Sequence, residues 1–385
     1  MEIKNLTAKY SDEIIRNRRE FHRIPESSGR EFKTSALIRQ KLLAMGLTPQ
    51  SMAGTGLVAE IAGARAGKTV ALRSDMDALP LAEKTGAAYC SQHEGFMHAC
   101  GHDAHIAMLL GAARMLLDLR QEIRGGVRLI FQPAEENSAG ARAMIAEGVL
   151  HHVDTIFGLH VWSGLDAGTI SVEAGPRMAS ADFWYIDIRG KGGHGGMPHD
   201  GIDALIAGAA LVNSLQTVVS REISPLEPGV LSIGEFRAGA LPNIIADSAF
   251  LSGTSRAFNP LVREQFPAAI KRIAEHTAAA YRAEIKLRYD FGSPAVENDP
   301  ACSEIAERAA RKVMGEQAPV LMEKTMGGED FADYQQTVPG VFAFLGIRNG
   351  ETGAYPQHSP FYTLDESVLP HGAAVAVQYA LDFQA

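Results

Sequence analysis

The sequence predicts an α/β chain with a mostly parallel central sheet flanked by helices and a smaller α+β unit inserted into it. Three observations lead there. Short β-rich runs alternate with amphipathic stretches over the first 180 residues. The middle of the chain then follows a different order, β-α-β-β-α-β. After Ser293 the first kind of alternation resumes. At 385 residues the chain is also long for a single core, and two domains are the natural division.

In chain order, residues 9–22 and 33–46 read as amphipathic helices, the second stopping at Gly46. Residues 69–74 (TVALRS), 127–132 (VRLIFQ) and 154–159 (DTIFGL) read as strands, with helices at 104–119 and 139–147 between them. The middle segment reads as strand 181–190, helix 201–220, strands 228–236 and 247–255, helix 260–282 and strand 283–290, the order of a split βαβ (ferredoxin-like) unit. Helix 301–314, strand 341–346 and helix 366–382 close the chain. The expected domains are therefore 1–180 with 292–385, interrupted by 181–291.

A formal net charge of −9 with no basic run argues against nucleic acid and against an anionic membrane surface. No apolar segment reaches bilayer-spanning length. The first residues, MEIKNLTAKYSDEIIRNRREFH, lack the apolar centre of a signal peptide. Cys90, Cys100 and Cys302 form no disulfide framework, so the expected compartment is the cytoplasm.

The chemistry concentrates in a few stretches. MHACGHDAH (97–105) holds Cys100 and His102 in a C-x-H spacing that lets both face one zinc-like ion, with Gly101 permitting an unusual turn between them. FQPAEE (131–136) ends a strand with two adjacent carboxylates, which repel unless a cation or a proton separates them. Glu136 as a ligand and Glu135 as a general base use both. His160 ends the strand of GLHVW, and His358 sits in the Pro-bounded loop PQHSPF. Taken singly, each is as well explained by a capping, core or surface role. Together, at the carboxyl edge of a sheet, Cys100, His102, Glu136, His160 and His358 suit one or two metal ions. Asp75 and Asp77 of LRSDMDALP are placed as acceptors that orient a ligand histidine, and His105, one turn from His102, as structural or orienting. Glu329 and Asp330 open an expected helix, where acids favour the dipole, a reading at least as good as a role in the site. GARAGKTV (63–70) misses the P-loop spacing and precedes a strand, which excludes nucleotide binding there.

With RREFHRIPE (18–26), GKGGHGGMPH (190–199), LPNIIAD (241–247) and GGEDF (327–331), these motifs make the chain resemble the metal-dependent amidohydrolases that include hippurate hydrolase, N-acyl-L-amino-acid amidohydrolase and the auxin-conjugate hydrolases, within the aminoacylase and zinc-carboxypeptidase group. The resemblance runs over nearly the whole chain. It implies a binuclear site of manganese, zinc, cobalt or nickel, with ligands matching Cys100, His102, Glu136, His160 and His358, and with Cys100 in the place of a bridging carboxylate. It implies Glu135 as general base and Asn243 as a substrate contact. The inserted domain is implied to be a lid and homodimerisation module whose His194 reaches an active site, its own or that of a second subunit. The implied reaction is hydrolysis of the amide of an N-acyl amino acid. A dipeptidase, an N-acetyl-diaminopimelate deacetylase and a non-catalytic metal-holding relative are the alternatives.

Overall fold

The computed structural model describes residues 2–385, which divide into two compact units: 2–177 with 296–323 and 330–385, and 178–295 with 324–329. The sequence places the boundaries at 180/181 and 291/292. The short return of 324–329 to the second unit was not expected. Thr325 and Gly327 accept the Ala179 N–H through their carbonyls, and Arg256 donates to the Met326 carbonyl, which ties that segment there.

Among the described residues, seven strands of the first unit form one sheet. Its centre is parallel: Arg124–Gln132, Arg65–Asp75, Thr155–Asp166 and Gly340–Arg348 lie side by side in that order. Both edges are antiparallel. Gly56–Ala62 and Gln50–Met52 extend one side, and Ile170–Ser171 the other. The hairpin at 50–62 lies outside the elements expected from the sequence.

The central strands are buried on both faces, as runs such as TVALRSD require. Alternation along Thr155–Asp166 separates the two helical layers. Phe157 and Leu159 share a pocket with Met108, Leu109 and Gly372, from helices His102–Asp118 and Leu369–Phe383. A side chain at Gly158 would instead meet Phe331 of the short helix Phe331–Gln335. Helix Ile3–His22 packs on His102–Asp118 and Leu369–Phe383, completing the first unit's core.

The second unit has its own core around Trp184, Ile186, Leu211 and Phe266. Its elements run Asp182–Arg189, helix Ala204–Thr217, Gly229–Ala238, Ser248–Ala257, helix Pro260–Ala280 and Glu284–Asp290. The four strands form an antiparallel sheet with Asp182–Arg189 paired to both Ser248–Ala257 and Glu284–Asp290, and with Gly229–Ala238 at one edge. Asn259 and Asp203 cap the two helices through their side chains.

Candidate metal centre and catalytic carboxylate

Helix His102–Asp118 begins immediately after Gly101, whose φ of 89° is left-handed. A Cβ there would stand 2.4 Å from Val161 Cγ2. Glycine at this point lets the chain turn tightly against the strand Thr155–Asp166, placing Cys100 and His102 on either side of the turn. His160 was expected at the end of that strand. The strand instead runs six residues further, because pairing with Gly340–Arg348 continues to Asp166↔Arg348. What ends near His160 is the pairing with Arg65–Asp75, whose last rung is Arg73↔Gly158. The sheet opens there, and His160 borders the gap.

The Cys100 Sγ lies 3.4 Å from His160 Nε2. The possible ligand atoms of Cys100, His102 and His160 all fall within 4.8 Å of one another, as do those of Cys100, Glu136 and His358. Cys100 belongs to both groups. His358 Nε2 stands 3.5 Å from Glu136, and the His358 N–H donates to the Ala99 carbonyl at 2.9 Å. Gln357 donates to the Val161 carbonyl, so the loop carrying His358 is pinned to the strand carrying His160.

The hydrogen bonds fix which imidazole nitrogens face the site. His102 Nδ1 lies 3.0 Å from the Asp77 carbonyl and 3.1 Å from Asp77 Oδ1, both acceptors, so Nδ1 carries the proton. His102 Nε2 is buried and has no partner. His160 Nδ1 likewise donates, to the Val161 carbonyl at 2.6 Å, leaving Nε2 toward Cys100. His105 is different: the Val161 N–H donates to its Nε2 and its Nδ1 donates to Asp75, so both nitrogens are used. Asp75 and Asp77 thus each hold one histidine, and Asp77 also accepts from the Glu136 N–H and from Ser28.

The electrostatics fit a cation. Burial pushes the Cys100 thiol up, and the Glu136 carboxylate adds to it. Burial also pushes Glu136 up, to about 7. Burial opposes charge on His102, yet Asp75 and Asp77 outweigh it and draw a positive charge toward that ring, which an ion at Nε2 would supply in place of a proton. Burial and His105 hold His160 neutral, as a ligand must be. Two largely enclosed acidic groups side by side, with the unpartnered His102 Nε2 and Glu136 Oε1 facing the same space, are the arrangement a divalent ion neutralises.

Glu135 is almost fully buried, with an oxygen 3.9 Å from His102 Nε2. Arg73 is a residue the sequence reading passed over. It is buried and donates to Asp75, Gln132 and Asp330 beneath the site. Its signal was an arginine inside an otherwise apolar strand. Asp330 stands at the start of helix Phe331–Gln335, as expected, but its carboxylate does not cap that helix and accepts from Arg73, Gln132 and the Ala141 N–H. Cys90 and Cys302 are free thiols, and Cys302 sits in the core beside Thr155.

His194 and Asn243 lie in the second unit. They are brought together by the short ladder of Gly193–His194 with Ile244–Ile245, where the Gly195 N–H donates to the Asn243 carbonyl. His194 is exposed, and its Nδ1 accepts from the Gly196 N–H, leaving Nε2 as the outward donor.

Comparison with known proteins agrees with this picture. The sequence profile of Peptidase family M20/M25/M40 matches residues 71–382. An N-acetylcysteine deacetylase of Bacillus subtilis is 42% identical over 370 residues, spanning 95% of this chain and 94% of its own. Thermostable carboxypeptidase 1 of Saccharolobus solfataricus is 39% identical over 388 residues, spanning 99% and 98%. Among solved structures, a dinuclear metal-binding peptidase of the M20 family from Bacillus subtilis superposes with a TM-score of 0.85 at 37% identity, covering 97% of this chain and 98% of that one.

Proposed function

The chain belongs to Peptidase family M20/M25/M40 and is a hydrolase of that family, and on that premise we propose that it cleaves the amide bond of N-acyl amino acids, releasing a carboxylic acid and a free amino acid. The observation that carries this reading is the buried Glu135 beside a donor set of Cys100, His102, Glu136, His160 and His358. Cys100, His102 and His160 would hold one ion and Cys100, Glu136 and His358 a second. When bound, such ions acidify water and polarise an amide carbonyl.

The rest falls to the chain's own residues. Glu135 accepts the proton of the attacking water at its carboxylate, then donates it to the departing amine. Asp75 and Asp77 keep His105 and His102 in single tautomers, so the site does not reorganise as charge develops. His194 offers Nε2–H to the oxyanion, and Asn243 holds the substrate, as their motifs imply. The unit 178–295 serves as lid and homodimerisation module.

A second reading, cleavage of a peptide bond, is favoured by the carboxypeptidase among the relatives. One experiment separates them. Free amino acid is measured from a panel of acetyl-, benzoyl-, succinyl- and indoleacetyl-amino acids and of unblocked dipeptides, with added Mn²⁺ and with a chelator. Metal-dependent release from the acylated compounds is expected. Release from the dipeptides alone would transfer the assignment to peptidase, and release unaffected by chelator would overturn the metal site.

A further inference from the structure

We propose that Glu31 is a positioning residue for Glu135, acting through the backbone of Ala134; this rests on the reading of Glu135 as the proton-transfer group.

Glu31 is completely buried, yet it serves no residue of its own helix. It occupies the position just before helix Phe32–Ala44, where a side chain ordinarily caps the first turn. That task has passed to Glu26, which accepts from the Thr34 N–H and hydroxyl. The Glu31 carboxylate turns away. One oxygen accepts from the Gly29 N–H at 2.7 Å and the Ala134 N–H at 2.9 Å, and the other accepts from the Thr55 hydroxyl at 2.6 Å.

Ala134 is a non-glycine residue at φ 55°, in the left-handed region. Such a conformation persists only where neighbours over-determine it. Its carbonyl accepts from the Ala139 and Gly140 N–H groups. A Cβ at Gly140 would overlap the Pro133 carbonyl oxygen, which shows how tightly the turn closes. One residue past Glu135, the Glu136 N–H donates to Asp77. Glu135 is therefore held between two carboxylates that grip its neighbours' amides, Glu31 before it and Asp77 after it. Asp77 also orients His102, whereas the contacts of Glu31 lie with the turn, the 53–56 hairpin bend and the 26–31 segment. Gly56 seats that bend against the turn, since a Cβ there would stand 2.8 Å from Pro133 Cδ. Without Glu31 the Ala134 N–H would lose its partner, and the turn would relax toward ordinary φ, moving the carboxylate of the next residue.

The test is a double-mutant cycle on the best substrate of the acyl-amino-acid panel, with metal content measured for every variant. Glu31→Ala is expected to lower kcat about 10- to 100-fold, the scale of a small misplacement of a reacting group, with KM and bound metal unchanged. Glu31→Gln, whose amide oxygen still accepts from Ala134, is expected to recover part of that loss. In a Glu135→Gln background, with turnover followed over hours at high enzyme concentration, neither Glu31 substitution should lower kcat further. An equal loss in both backgrounds, or a loss that follows metal content, overturns the positioning role while leaving Glu135 in place. Full turnover by Glu135→Gln alone overturns the Glu135 reading and this one with it. If Glu31→Ala does not fold, the Glu31→Gln arm of the cycle decides on the same criterion.

Discussion

At Cys100 the chain buries a thiol beside a carboxylate, and both surroundings favour the protonated form. The thiol becomes a ligand only if a cation repays that cost, so its hold on metal and its burial are two sides of one balance. Replacing it tests this. Cys100→Ser should weaken metal binding at least ~10-fold, read by competition with a chromophoric chelator. Glu135→Gln should behave in the opposite way, with turnover down about 10²- to 10⁴-fold and metal content unaltered. Loss of metal in that variant would move Glu135 from proton carrier to ligand. The sequence singles out the histidines and acids proposed for the centre because each stands in a short local pattern. Glu31 and Arg73 were not, because what gives them a task lies 103 and 257 residues away, at Ala134 and Asp330.

The helices are joined by charge as well as by apolar packing. Arg18, on Ile3–His22, pairs with Asp103 in the first turn of His102–Asp118 at 2.8 Å, with both side chains buried. His22 lies between Asp103, 2.7 Å from Nδ1, and Glu83, 3.2 Å from Nε2. Burial works against the Glu83 carboxylate, yet hydrogen bonds from His22, the Ser91 N–H and Thr85 bring it down to about 2. Its folded value lies below its unfolded one near 4.5, so the unfolded chain binds more protons between those limits. The stability it contributes is present above pH 4.5 and is lost as pH falls toward 2. His22 has the opposite sign. Burial and Arg18 oppose its charge but Asp103 and Glu83 raise it, so its contribution is complete below pH 6.5 and fades as pH rises through the folded value. Urea unfolding of chelator-treated protein at pH 7, 4.5 and 3 should show Glu83→Gln less stable at pH 7 and less sensitive to the last step than the parent. Gly101→Ala should cost about 2–4 kcal/mol in the same assay, from the left-handed backbone and the contact with Val161.

Most elements were readable from periodicity, with ends shifted by a few residues where pairing or packing decides them. The hairpin at 50–62 was not. Its longer strand, GLVAEIA, mixes small and apolar residues, and its place is set by an antiparallel ladder with Arg124–Gln132, which no local pattern reports.

Among the described residues there are two separate apolar cores, one per unit. Calorimetry should therefore resolve two transitions, and Mn²⁺ should raise only the one belonging to the unit that carries Cys100, His102, Glu136, His160 and His358. A single transition raised as a whole would show the units unfolding together. The change in element order is what leads the sequence to the expectation of an inserted unit. The return of 324–329 was not, because it depends on backbone contacts of Ala179 and on Arg256.

The sheet order also bears on how the chain is made. Strand Gly340–Arg348 lies between Thr155–Asp166 and Ile170–Ser171, and His358 follows it. During synthesis the 178–295 segment leaves the ribosome entire, while its host still has a vacant lane in its sheet and an unfinished centre. The host unit closes only once Gly340–Arg348 and the loop carrying His358 have been released. Until then the Thr155–Asp166 backbone is an open edge, and nascent chains stalled between 300 and 339 are the ones that most need a chaperone's cover.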